Sequence, residues 1–129
     1  MSQACNCGET MELMLRPVIY AENVEIDHVP VYTCWNCNRS KVLPEVKQEI
    51  TKMIEQLGDQ PVPQYIDFQD RNEIAFLICQ ATRFENRNIP LEQLIYQRMD
   101  DLLDLLNYTT AIKDRTWSDE LNKRLKQLT

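Results

Sequence analysis

Four cysteines in two tight pairs constrain this chain more than any other feature. Cys5 and Cys7 form a C-x-C pair, Cys34 and Cys37 form a C-x-x-C pair, and 26 residues separate the two pairs. Four thiolates held on two turns complete the tetrahedral coordination of Zn²⁺. The intervening length allows two strands to leave the metal and return. The sequence therefore predicts a zinc ribbon in which these four cysteines bind one zinc ion.

The composition of the ligand set predicts a structural metal. A catalytic zinc keeps one position open for water, and four cysteines leave none. The metal would replace a hydrophobic core that is too small to stabilise about 40 residues. We therefore expect metal removal to unfold residues 1–42 and to leave the later helices folded.

Three other features bear on the cysteines. Disulfides are the alternative for the four thiols, but no apolar leader precedes Cys5, so we expect a reducing, cytoplasmic location where disulfides are rare. His28 is a substitute ligand if one sulfur of the first pair fails to reach the metal. Cys79 lies in the apolar run 74–79 and is predicted to be a small buried hydrophobe.

Alternating apolar residues after Gly8 predict a β-hairpin that returns Cys34 to the side of Cys7. Pro17 and Pro30 cannot donate to a strand ladder and are expected at edges or bulges. The apolar strand positions are Met11, Leu13, Leu15, Val18 and Tyr20 before a turn at residues 21–23, and Val24, Ile26, Val29 and Val31 after it.

The rest of the chain has helical patterning. Pro44 suits the first turn of a helix that ends at Leu57, and residues 59–67, with two prolines, are predicted to be a linker or an extended arm. The segment Asp70–Glu73 has the form of a capping box, which predicts a helix from there to about Phe84.

Two more helices are predicted, one opening at Pro90 and one at residues 116–119. The apolar positions of the first are Leu91, Leu94, Ile95, Met99, Leu102, Leu103 and Leu106, and those of the second are Trp117, Leu121, Leu125 and Leu128. The predicted fold class is α+β: a small β-hairpin zinc ribbon (1–42), a connecting helix with a Pro-containing linker (43–69) and an all-α helical domain (70–129).

Charge argues against several partners. The net charge is −6, and the basic residues are not gathered in one segment, so the charge argues against a nucleic-acid partner. A nucleic-acid surface would need Arg71, Arg83, Arg87 and Arg98 to converge, with Trp35 or Tyr65 stacking on bases. No uncharged stretch approaches the ~18 residues of a membrane span, so we expect no membrane partner.

No enzymatic site is predicted. Asp100, Asp101 and Asp104, with Glu92 upstream, have a spacing that can hold divalent metals on helices, but they lie opposite the leucines, where a solvated face belongs. The chain lacks a Gly-rich phosphate loop and a nucleophile beside a base. We therefore expect the protein not to be an enzyme.

Gly8 directly follows the first cysteine pair, and a Val29-Pro30-Val31 element precedes Cys34-Trp35-Asn36-Cys37. With the two cysteine pairs, these residues make positions 5–48 resemble the YgiT-type zinc finger, the amino-terminal module of MqsA-like antitoxins. The resemblance implies a structural zinc and a bacterial regulatory setting. The first pair differs from the C-x-x-C of the family, and no helix-turn-helix signature follows, so DNA recognition does not carry over.

The sequence is consistent with two functions. The first is a protein-interaction module, an adaptor or inhibitor, whose acidic helical domain binds a protein partner or forms a homodimer, because the helix after Pro90 carries more apolar surface than its neighbours cover. The alternative is a nucleic-acid-binding regulator or antitoxin of the YgiT/MqsA type. A steep salt dependence of DNA binding would favour the alternative.

Overall fold

The computed structural model describes residues 2–129 and has the predicted α+β class. Four strands of a mostly antiparallel sheet come first, and four α-helices follow, with a fifth, parallel strand after the first helix. The chain divides into two compact units, one ending at Arg71 and the other spanning Asn72–Thr129. Among the described residues, no helix has the length and apolar character needed to cross a bilayer.

The predicted hairpin is confirmed and forms the centre of the first unit. Strand β1 (Ser2–Ala4) pairs with β2 (Thr10–Tyr20), and β2 pairs antiparallel with β3 (Val24–Thr33). The turn at residues 21–23 contains two residues with positive φ, Ala21 and Glu22. Such φ values match the twist of a tight hairpin connection.

Both prolines of the hairpin lie where a strand tolerates them. The register of β2 and β3 shifts between Arg16 and Val18, so Pro17 lies at a bulge. On β3, the carbonyl of Pro30 accepts from the Leu43 N–H at 3.0 Å, on the side away from β2. An antiparallel residue directs its N and O to the same side, so Pro30 removes no donor from the β2 ladder.

Strand β3 has neighbours on both sides. Its residues 31–33 pair antiparallel with β4 (Ser40–Val42), and its residues 24–27 pair parallel with β5 (Gln64–Asp67). The sequence analysis predicts a connecting helix and a linker over residues 43–69. In the structure they belong to the first compact unit, because β5 extends the sheet and a 3₁₀ turn (Phe68–Asp70) follows it.

Side-chain hydrogen bonds attach the segment before β5 to the hairpin. The Tyr20 hydroxyl donates to the Gly58 carbonyl at 2.6 Å, and the Asn23 amide donates to the Pro61 carbonyl at 2.9 Å. Helix α1 (Pro44–Leu57) begins at the predicted proline and ends before Gly58, which has a φ of 76°. It buries Val46, Ile50 and Met53.

The second unit consists of three helices. Helix α2 (Glu73–Ala81) is capped by Asn72, whose side chain accepts from the Ala75 N–H, so the prediction of a cap at Asp70 is wrong. The helix also ends three residues before the predicted Phe84, at which a 3₁₀ turn (Phe84–Asn86) begins. Helices α3 (Leu91–Ala111) and α4 (Arg115–Gln127) start within one residue of their predicted positions.

The apolar stripe of α3 is only partly buried. Leu94, Leu102 and Thr109 are buried, whereas Leu91 and Leu103 are exposed. On α4, only Leu121 is buried. Trp117, predicted to face inward, is 40 % exposed and makes an edge-to-face contact with Tyr108. The favourable edge-to-face contact between the two rings is therefore made at the surface and not in the core.

Candidate metal centre

Two turns deliver the four cysteines to one end of the sheet. After β1, the Cys5 N–H donates to the Glu9 carbonyl at 2.8 Å and the Gly8 N–H donates to the Cys5 carbonyl at 3.0 Å. The φ of Gly8 is 96°, a left-handed conformation that glycine adopts without strain. The C-x-C turn is therefore closed by backbone bonds that do not use the sulfurs.

The second cysteine turn is also closed by backbone hydrogen bonds. The Asn38 N–H donates to the Cys34 carbonyl, and the Cys34 N–H donates to the Arg39 carbonyl, both at 2.8 Å. Asn38 has a φ of 61°, and asparagine is one of the few residues that adopt this conformation readily. The turn places Cys37 beside the end of β3, from which Cys34 projects.

The four sulfur atoms lie within 4.8 Å of one another. Cys5 Sγ is 3.6 Å from Cys37 Sγ, and Cys7 Sγ is 3.5 Å from Cys34 Sγ. For Zn–S bonds of about 2.3 Å, a regular tetrahedron has sulfur atoms about 3.8 Å apart. Each of these close pairs joins a cysteine of the first turn to a cysteine of the second, so a metal bound by these sulfurs would link the two turns.

The site is buried on one side. Cys34 and Cys5 are buried together with Met11, and Tyr32 and Cys37 pack against this cluster, whereas Cys7 is exposed. Four thiolates of this size and spacing suit a closed site for one metal ion, and the soft donor set favours zinc over magnesium or calcium. The predicted ligand residues are thus brought together.

The pKa values of Cys5 and Cys7 are shifted in opposite directions. Hydrogen bonds from the Glu9 N–H and the Asn36 amide lower the pKa of Cys7 to about 6. A backbone hydrogen bond from Cys7 acts in the same direction on Cys5, but burial and bonds to the other thiols raise its pKa to about 11. The Cys7 thiol therefore loses its proton more readily than the Cys5 thiol.

Asn36 is a residue whose role the sequence did not reveal. Its side-chain amide lies 3.6 Å from Cys7 Sγ and donates to it. Its position between Cys34 and Cys37 was the available signal, because the residues inside a C-x-x-C turn are near the sulfurs by construction. A donor to the exposed thiolate stabilises its negative charge.

The structure does not support His28 as a substitute ligand. Its Nδ1 lies 2.9 Å from Asp67 Oδ1, and the residue is outside the sulfur cluster. His28 has a φ of 58° and sits at the irregularity of β3 opposite Pro17. The imidazole therefore links β3 to β5.

Tyr65 and Asp27 form a second link at this place. The Tyr65 hydroxyl donates to Asp27 Oδ2 at 2.8 Å, and this bond raises the pKa of Tyr65 to about 12. For Asp67, burial raises the pKa, but bonds from Gln69 and His28 outweigh it and hold the pKa below its usual value.

We expect Asp27→Asn to lower the pKa of Tyr65 toward the ordinary value of about 10. The negative Asp27 carboxylate disfavours the charged phenolate, and the neutral amide of asparagine does not. The titration can be followed by NMR of ¹³C-labelled tyrosine. Glu22→Gln removes an exposed carboxylate elsewhere in the hairpin and is the matched control. An unchanged Tyr65 titration in Asp27→Asn would show that this bond is not formed in solution.

The remaining candidate residues lie outside the sulfur cluster. Cys79 is buried in α2, as predicted. Asp100, Asp101 and Asp104 are exposed on α3. Within residues 2–129, the four cysteines are the one group of potential ligands close enough to hold a metal ion.

Comparisons with known protein families, with curated proteins and with solved structures find no match to this chain. The resemblance of residues 5–48 to the YgiT-type zinc finger therefore stays a prediction from the cysteine motif.

Proposed function

We propose that this chain is a bacterial regulatory protein that acts by protein–protein interaction, as an adaptor or inhibitor, through its acidic helical domain. A structural zinc bound by Cys5, Cys7, Cys34 and Cys37 would hold the amino-terminal ribbon together. The proposal treats the protein as a cytoplasmic non-enzyme whose cofactor is this zinc ion. The observation that carries it is a row of uncovered apolar side chains on α3.

That row lies on one helical face. Tyr96, Met99, Leu103 and Leu106 are separated by three, four and three residues, the spacing of neighbours along a helix surface. Tyr96 is 60 % exposed, Leu103 is 45 % exposed, and the other two are partly exposed. We call these four residues the 96–106 face. Apolar surface of this kind is typical of a protein-binding site or a homodimer interface.

Charge on the same helix favours a protein partner. Asp100 and Asp104 are exposed beside the face, and no basic residue lies between Met99 and Ala111. A polyanion would be repelled from this surface, whereas a protein with an apolar groove and a basic rim would fit it.

The alternative of a nucleic-acid-binding regulator of the YgiT/MqsA type has weaker support. Arg98, one of the four arginines it needs, is engaged by the carboxylate of Glu73 at 2.7 Å. Tyr65 is bonded to Asp27 and lies near Asp67 and Glu25, an acidic setting for a base-stacking residue. Trp35 is 59 % exposed, but its indole N–H donates to the carboxylate of Glu12.

We expect Leu103→Glu to reduce binding of a protein partner, or dimerisation, by tenfold or more, because a charge would be buried at the centre of the contact. Gln93→Glu adds the same charge at an exposed position of α3 and should have little effect. Sedimentation across micromolar concentrations tests the homodimer, and retention of proteins from a bacterial lysate tests other partners.

Leu102 is unsuitable for this test. Its side chain is 1 % exposed, so a charge there should unfold the helical unit and remove binding indirectly. Helicity measured by circular dichroism separates the two cases. If Leu103→Glu is folded and retains all assembly and binding, or if the protein binds generic DNA with a steep salt dependence, the proposal fails.

A further inference from the structure

A cleft of about 350 Å³ lies beside the metal centre in the first unit. One wall is formed by residues at the end of β1, Ala4 among them, and the other by Arg39, Ser40 and Lys41 at the start of β4. Met11 lies between them and also contributes to the buried sulfur cluster. The volume is within the range of roughly 300–1,000 Å³ typical of ligand-binding clefts.

The two walls come from opposite ends of the sheet. The strand order is β1-β2-β3-β4, with β5 beside β3, so β1 and β4 are its outer strands. Residues of both line one cleft, because the two cysteine turns beside it bring Cys5 Sγ within 3.6 Å of Cys37 Sγ. Within residues 2–129, no strand pairs with the outer edge of either.

The backbone groups of β4 that face outward can be identified from the ladder. The Cys34 N–H donates to the Arg39 carbonyl, and the Leu43 N–H donates to the Pro30 carbonyl. In an antiparallel pair the pattern repeats every two residues, so Lys41 also faces β3 with its backbone. The N–H and C=O groups of Ser40 and Val42 therefore face outward.

The outward-facing backbone groups of β1 follow from its ladder with β2. The Cys5 N–H donates to the Glu9 carbonyl, so Gln3, two residues earlier and opposite Met11, directs its backbone toward β2. Ala4 then directs its N–H and C=O away from β2. Both walls of the cleft thus carry outward-facing donors and acceptors of outer strands, the pattern to which an added strand binds.

Basic residues beside the cleft favour an added strand with acidic side chains. Residues 1–42 contain three basic residues, Arg16, Arg39 and Lys41, and two of them line this cleft in a chain whose net charge is −6. Both side chains are exposed and lie on either side of Ser40. An acidic segment placed along this edge would meet Lys41 of β4 and Arg39, which directly precedes the strand.

We infer that this cleft binds an extended acidic peptide segment of a protein partner, which adds a strand to the outer edge of β4. The backbone of Ser40 and Val42 supplies paired donors and acceptors, and Arg39 and Lys41 bind acidic side chains of the segment. The arrangement favours a peptide over a nucleic-acid backbone, since a phosphate only accepts hydrogen bonds and would leave the outward carbonyls unpaired. This surface belongs to the first unit, whereas the 96–106 face belongs to the second.

The test uses the zinc-loaded full chain and a displayed library of random heptapeptides. We expect selected peptides to be enriched in Asp and Glu at alternate positions. Their affinity should fall tenfold or more in Arg39→Gln/Lys41→Gln, and further in Arg39→Glu/Lys41→Glu. Lys47→Glu/Lys52→Glu makes the same charge change on the exposed side of α1 and should have little effect.

Amide hydrogen exchange distinguishes strand addition from simple charge attraction. The amides of Ser40 and Val42 should become protected when the selected peptide binds, while that of Lys41 is protected already. Selection of peptides without acidic enrichment, unchanged affinity in the Arg39/Lys41 variants, or binding without protection of Ser40 and Val42 would overturn the inference. Displacement of the peptide by generic duplex DNA would do the same. Leu103→Glu should leave peptide binding intact, so failure here and failure of the helical surface are distinguishable.

Discussion

Cys34→Ser is expected to abolish metal binding and to unfold the cysteine end of the first unit. Cys34 is fully buried, and its sulfur is 3.5 Å from that of Cys7, so the substitution removes a ligand that no nearby described side chain replaces. Structural zinc contributes about 10–16 kcal/mol of apparent binding free energy in zinc-finger peptides. A small unit with a net stability of about 5–15 kcal/mol does not tolerate its full loss.

The structure narrows the region that should unfold. The cluster of Cys5, Met11 and Cys34 lies at the cysteine end, whereas Ile26 pairs with Ile66 of β5 near the buried Phe68. We therefore expect residues 2–14 and 31–42 to lose hydrogen-exchange protection, and the pairing of β3 with β5 to persist. The sequence alone predicted unfolding of all residues 1–42, because it did not reveal β5.

Cys79→Ser is the matched control, since it makes the same chemical change at a buried cysteine outside the cluster. It should leave the metal content and the exchange pattern of residues 2–71 unchanged. Simultaneous loss of protection in β5 and in the cysteine turns of Cys34→Ser would show that the first unit has one cooperative core.

Glu73→Gln is expected to destabilise the helical unit by about 3–5 kcal/mol, as breaking a buried ion pair usually does. The carboxylate is fully buried and accepts bonds of 2.7 and 2.9 Å from Arg98 and one of 2.9 Å from Arg124. These contacts join α2 to α3 and α4. Arg98 also lies over the ring of Phe76, at 4.2 Å from its centroid.

Glu73 should also make the helical unit sensitive to acid. Burial raises its pKa, but the bonds to Arg98 and Arg124 outweigh this effect and hold the pKa below the usual value. A carboxylate whose folded-state pKa is depressed stabilises the fold above its unfolded-state pKa of about 4.3. This contribution is lost as the pH falls through the folded-state pKa.

Urea unfolding of Glu73→Gln at neutral and acidic pH measures both effects. Asp104→Asn removes an exposed carboxylate of the same unit and should change the free energy of unfolding little. The gap between the two variants should shrink at low pH. Equal stability of the variants at neutral pH would contradict the role assigned to Glu73.

Features that depend on residues close together in the chain were predictable from the sequence. The spacing of the cysteines predicted which four sulfur atoms come together, the alternation around residues 21–23 predicted the hairpin, and Pro44 and Pro90 marked the starts of α1 and α3. Each of these signals depends on residues within a few positions of one another in the chain.

Long-range pairing was not predictable in the same way. Strand β5 pairs with residues about 40 positions earlier, and four residues of mixed polarity carry no signal of that partner. Glu73 resembled a capping residue because Asp70 precedes it by three positions, yet its partners come from α3 and α4. The cleft beside the metal centre depends on how two cysteine turns far apart in the sequence come together.

The measurement that tests the account most directly is metal analysis combined with X-ray absorption of freshly purified protein. We predict one zinc ion per chain, bound by four sulfur atoms at about 2.3 Å, and loss of this signal in Cys34→Ser but not in Cys79→Ser. Protein without zinc, a shell containing nitrogen or oxygen ligands, or cysteines joined in disulfides would contradict it.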